Sequence, residues 1–167
     1  MIRIPTRRMQ RGVALPIVLM LSAMMLTTSV AWFEMSIAAA RAASNTQDAL
    51  QAFHAADAAL TRCAQMALNG TASALPDVAL EPVGWQHAAT FDAAALTPVM
   101  QWPGTPRPPQ CLVEGWLLPA RPETRAWLIT ARGFGATRAS QIWLQMELVV
   151  DGERVERHWR QIVARPF

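Results

Sequence analysis

Arg8–Val18 reads RMQRGVALPIV. A basic segment stops at a single glycine, and a long apolar run begins on the next residue. Arg3, Arg7, Arg8 and Arg11 precede Gly12 with no acid among them, and no charged residue occurs from Val13 to Phe33. Those 21 residues match the roughly 20 that a helix needs to cross a hydrocarbon core. Glu34 ends the run. A helix apolar on every side must be covered by lipid or by other protein, so this stretch decides what kind of fold the rest can have.

The charge of the whole chain follows from the same segment. The formal net charge is +3, and all 15 basic residues are Arg. Without the first 12 residues the count is 11 Arg against 12 acids. The remainder has no polybasic block, which argues against nucleic-acid binding. The arginines from Arg3 to Arg11 before the apolar run, with an exported remainder after it, satisfy the positive-inside rule. The expected orientation is an N-terminus in the cytoplasm and a single-pass chain with its body in the periplasm, anchored in the inner membrane.

Three N-terminal readings compete. A secretory signal would be cut at an A-x-A-like site, and Ala38-Ala39-Ala40 resembles one, but the apolar run is too long and Trp32, Phe33 and Glu34 intervene. A plain single-pass anchor would keep all of it. A chain cut after Gly12 would begin at Val13 and keep the apolar helix. Pro16 agrees with a helix starting near Val13, because proline is tolerated in a first turn and costs about 3 kcal/mol in a helix interior.

The helical pattern continues past Glu34. Residues 36–68 contain no Pro or Gly. Leu50, Phe53, Ala56, Leu60, Cys63 and Ala67 recur at three- and four-residue steps, which predicts one apolar stripe. Asn69-Gly70 supplies a C-terminal stop. The segments are therefore a leader (1–12), a membrane or assembly helix (13–35) and its amphipathic continuation (36–70), with a helix from about Val13 to Leu68 roughly 80 Å long. A Pro- and Gly-rich connector (71–110) follows, and its run Trp102–Pro109 cannot join a regular ladder.

Residues 111–167 change to a period of two. Cys111–Leu118, Arg125–Ala131, Gln141–Val150 and Glu153–Val163 read as four consecutive strands. Gly133-Phe134-Gly135 and Ala136–Ser140 form one turn, and Asp151-Gly152 another. The predicted class is α+β: a long helix laid across the apolar face of a small antiparallel meander. Ile142, Leu144, Met146, Leu148 and Val150 should line that face, as should Val155, Trp159 and Val163. Cys63 and Cys111 are either two buried thiols or, in an exported chain, one disulfide tying the helix to the sheet.

Together these pieces resemble a type IV pilus minor pilin of the PilX type. The likeness rests on Gln10-Arg11-Gly12-Val13-Ala14-Leu15 before an apolar run, on AFHAADAAL (Ala52–Leu60), and on ITARGFG (Ile129–Gly135) followed by Leu144-Gln145. The resemblance implies a pilin-like fold and a leader removed after Gly12 by a prepilin peptidase, with methylation of the Val13 amine. It implies other minor pilins and the major pilin as partners, a final location in the extracellular pilus, and a role in priming assembly at the filament tip or modulating adhesion and aggregation. Most pilins carry Glu at the fifth mature position, which here is Ile17, and that departure points to a subunit first in its row. A minor pseudopilin of a type II secretion system and a periplasmic adaptor that never polymerises remain alternatives.

No enzyme, cofactor, metal or small-molecule substrate is expected. His54, His87 and His158 show no ligand spacing, and no phosphate-binding loop or nucleophile elbow occurs. The alternating charges of Glu153–Arg157 read as a solvated strand face.

Overall fold

Fifty-five residues with no internal glycine, and with proline only at the third position, form the helix α1 (Ala14–Leu68). The structure, a computed structural model, describes residues 14–137 and 139–167. After α1 come β1 (Leu75–Val78), a 3-10 turn (Gly84–Gln86), α2 (Ala88–Ala94), β2 (Gln110–Trp116), β3 (Arg125–Phe134), β4 (Gln141–Asp151) and β5 (Arg154–Ile162). The chain divides into two compact units, Met1–Ser44 and Asn45–Phe167, and α1 contributes to both.

Helix α1 stops where the sequence places its stop. Gly70 takes φ +69°. Its N–H donates to the Ala67 carbonyl at 3.1 Å, and the Thr71 N–H donates to the Met66 carbonyl at 2.9 Å. This is the Schellman arrangement, which needs a residue at ease in the left-handed region.

The class is α+β, but the sheet is mixed rather than a pure meander. Its order is β1-β2-β3-β4-β5. The last four strands pair antiparallel, whereas β1 joins the edge parallel to β2. The expected connector 71–110 thus holds a strand, a 3-10 turn and a short helix. Pro76 and the brevity of β1 mask the strand signal, and an edge strand tolerates the missing N–H. The hairpin at Gly152 falls one residue later than expected: Asp151 still pairs with Arg154. The loop is Gly152-Glu153, and Gly152 takes φ +58°, as a type II′ turn requires.

Within Asn45–Phe167 the C-terminal part of α1 covers one sheet face. Ala52, Ala55, Ala56, Ala59, Leu60, Cys63, Ala64 and Ala67 are buried, against Val113, Ile129, Ala131, Leu144 and Leu148. The stripe is broader than expected and begins at Ala52, since Leu50 is exposed. Six alanines let the helix come close, and Gly133 completes the contact. A Cβ there would collide with the Ala52 carbonyl and the Ala56 amide. Gly133 lies inside β3, not in a turn, and its role is to admit the helix backbone. Asp48 fastens the same end by accepting a hydrogen bond from the Ala136 N–H.

Cys63 and Cys111 are joined in a disulfide, Cα–Cα 6.6 Å apart and separated by 48 residues. Closing such a loop contributes about 4 kcal/mol in the chain-entropy account. The β4 face matches expectation, with Leu144 and Leu148 buried and Ile142, Met146 and Val150 packed beside them. On β5 only Val155 joins that core. Trp159 and Val163 are exposed, because β5 is the far edge and the helix does not cover it.

Gly133→Ala should destabilise the protein by about 1–3 kcal/mol, the usual cost of overpacking a close contact. A urea melt of the full chain measures it, and an unchanged midpoint would mean that the helix does not rest on β3 at this point.

Candidate functional site

Two apolar regions lie outside the core: the exposed first part of α1, and a groove at the β1 end of the second sheet face. In the unit Met1–Ser44, every described residue is exposed. The most apolar 18-residue window of α1 has a mean hydropathy of 1.9, and none of it is buried. This helix is long and apolar enough to cross a membrane. Its hydroxyls are satisfied internally: Ser22 donates to the Val18 carbonyl at 2.7 Å, Thr28 to Met24 at 3.0 Å and Ser29 to Met25 at 2.7 Å. Hydrocarbon demands such satisfaction, since it offers no water to a polar group. Ile17 lies in the first turn of the described helix, half-exposed. Gly12 and Val13, the expected processing residues, lie outside the described residues.

The other sheet face is covered too, which the period of two did not anticipate. β2 and β3 are buried on both faces. Three connecting segments cross the second face, and each is held by an ion pair. Arg121 of the β2–β3 loop meets Glu156 at 3.2 Å, Glu81 of the β1–α2 loop meets Arg160 at 2.9 Å, and Asp92 of α2 meets Arg132 at 2.9 Å. Exposed pairs of this kind contribute about 0–1 kcal/mol each, so their main effect is to set where each segment lies.

Arg132 differs from the other two because it is buried. Its guanidinium lies 4.9–5.6 Å from the ring centres of Phe91, Phe134, Trp143 and Phe167. It also donates to the Gln110 Oε1 at 2.6 Å. Among the described residues its Nε–H and the Trp143 Nε1–H have no hydrogen-bond partner, and the guanidinium is surrounded by electron-rich ring faces instead. Burial lowers its pKa from the ordinary guanidinium value, and the Asp92 carboxylate works against that. Beside it a polar row crosses the sheet. Gln145 donates to Thr130 at 2.9 Å and accepts from Arg160 at 2.8 Å.

Glu114 is the second charge inside this face, 3% exposed. It accepts a hydrogen bond from the Trp85 N–H at 3.3 Å. Burial raises its carboxyl pKa above the ordinary 4.5, and hydrogen bonds from the Gly84 and Trp85 backbones oppose that rise. It lines a groove of about 660 Å³ whose other walls are mostly aliphatic.

The sequence reading singled out neither Arg132 nor Glu114. Each is a charge within an otherwise apolar strand (LITARGF and CLVEGW). The signal was present, but it speaks only once the strand is known to be buried on both faces. The three histidines stay apart. His87 donates through Nδ1 to the Val83 carbonyl at 3.1 Å, and His54 meets the Phe53 ring edge-on. Among the described residues no three His, Cys, Asp or Glu converge on a possible metal site. No protein family, curated protein or solved structure matches this chain.

Two outcomes are expected. Arg132→Ala should cost about 3 kcal/mol, as loss of a buried, stacked side chain does. Asp92→Asn should cost less than about 1 kcal/mol, because Asp92 stays half-exposed; equal losses in chemical denaturation would contradict the ring cage. Glu114 has a folded pKa above its unfolded value, so its contribution is complete below pH 4.5 and is lost as pH rises through the raised value. The Tm of Glu114→Gln relative to the parent should therefore rise as pH is taken from 4.5 to neutrality. Parallel pH profiles would mean that the carboxyl titrates normally.

Proposed function

We propose that this protein is a minor pilin, a structural subunit that primes type IV pilus assembly at or near the filament tip. The single observation that supports the reading best is α1. One uninterrupted helix carries a charge-free, exposed apolar segment to Phe33, and its continuation is the cover of a small sheet. In the reading, the apolar segment first holds the chain in the inner membrane with its head in the periplasm, and then packs among the helices of other minor pilins and the major pilin.

Processing follows from the same reading. A prepilin peptidase cuts after Gly12 and the Val13 amine is methylated, leaving Pro16 in the first helical turn. Ile17 then occupies the fifth mature position, where a glutamate in other pilins would meet the terminal amine of a neighbour. A subunit that leads its row has no such amine to pair, and a buried unpaired carboxylate would be costly there. The disulfide suits a head that resides in an oxidising compartment.

Mass spectrometry of the mature N-terminal peptide, from cells with and without an active prepilin peptidase, tests this. The expected product starts at methylated Val13 and disappears without the peptidase. Immunogold labelling should then find the protein at filament ends. A start at Arg41, or an intact Met1 that ignores the peptidase, would overturn the assignment.

A further inference from the structure

The groove beside β1 has a composition of its own. Residues 75–84 contain two acids, Asp77 and Glu81, and no base. Leu75, Val78, Leu80, Pro82 and Val83 line an open volume of about 660 Å³. Leu80 is 82% exposed, Val83 51% and Val78 43%. Neighbouring aliphatic side chains left in water around one cavity mark a binding surface rather than scattered exposure.

What distinguishes this cavity is the carboxylate in its wall. Glu114 is buried and held by backbone N–H dipoles, with Gly84 lying so close that a Cβ there would press on its Oε1. The ion pairs among the described residues are Arg121–Glu156, Arg132–Asp92, Arg154–Glu156 and Arg160–Glu81. None of them reaches Glu114. A buried carboxylate without a counter-charge is expensive, and a cation arriving through the groove would relieve that cost. The occupant must then be aliphatic along its length and cationic at its tip. An arginine side chain has this form, and its guanidinium sheds water more readily than an ammonium.

Two further features favour a polypeptide as the source. A groove of this volume accommodates several side chains, more than one small cation would fill. Pro76 also removes a backbone donor from the β1 edge, so recognition there runs through side chains rather than through an added strand. We propose that the groove of residues 75–84 with Glu114 is a docking site for an arginine of a partner polypeptide, flanked by aliphatic residues that fill the rest of the cavity. This holds whether or not the chain enters a filament. Burial of Glu114 also implies that binding strengthens as pH rises, since the guanidinium pairs with the ionised carboxylate and displaces its proton.

The full chain in lipid nanodiscs, titrated calorimetrically, provides the test. The probes are the peptide Ac-Val-Leu-Arg-Leu-Val-NH2, the same peptide with Gln in place of Arg, and n-pentylguanidinium. The arginine peptide should bind saturably, and at least about tenfold more tightly than the glutamine peptide. Glu114→Gln should abolish that difference. Leu80→Ala, at an exposed position that the fold does not need, should weaken the arginine peptide several-fold with no change in Tm. Equal binding of the two peptides, indifference to both substitutions, or absence of saturable binding would overturn the proposal. So would n-pentylguanidinium binding as tightly as the peptide, which would make this a small-cation site.

Discussion

The seating of α1 on β3 at Gly133 is the contact on which the other packing depends. A helix built from alanine on its inner face can lie close to a sheet only if the strand beneath it also lacks a side chain at the point of crossing. Gly133 meets that need directly under Ala52 and Ala56. Once that distance is set, Leu60 and Cys63 meet Ile129, Leu144 and Cys111 in one core, and the disulfide spans a gap that the packing has already closed. Asp48 at one end and the Schellman turn at Gly70 at the other bound the segment that is held this way.

The second sheet face is organised by a different principle. Its cover consists of loops and one short helix, which pack Leu75, Trp85 and Phe91 against Leu112 and Trp143. Ion pairs and a ring cage add to that packing. Arg132 anchors α2 through Asp92 and gathers four aromatic rings around its guanidinium. Glu114, by contrast, has backbone dipoles and no ion pair among the described residues, and it lines the groove beside β1. One face is therefore closed by the long helix, and the other by short segments that combine apolar packing with charge pairing, with a groove at the β1 edge.

These two arrangements divide the functional surface. The apolar part of α1 has no charge from Ala14 to Phe33, and its Ser and Thr hydroxyls donate to backbone carbonyls, so it suits lipid or the flanks of similar helices. The groove is aliphatic and acidic at its wall, so it suits an arginine flanked by aliphatic side chains.

Much of this was legible in the residues alone. The charge boundary at Gly12, the apolar run to Phe33, the alanine-rich stripe, the stop at Gly70 and the alternation along β4 are local patterns, and local patterns are set by backbone periodicity and side-chain polarity. Those determined the helix, its apolar segment and the four antiparallel strands. Tertiary structure decided what depends on residues distant in sequence. β1 joins the sheet in parallel because β2 offers it an edge, which a four-residue strand containing Pro76 does not announce. Gly133 reads as a turn residue until α1 is laid over it. Trp159 and Val163 read as core until β5 proves to be the edge. Arg132 and Glu114 read as ordinary charges until both faces of their strands are covered, because burial is a property of what packs against a residue and not of the residue itself.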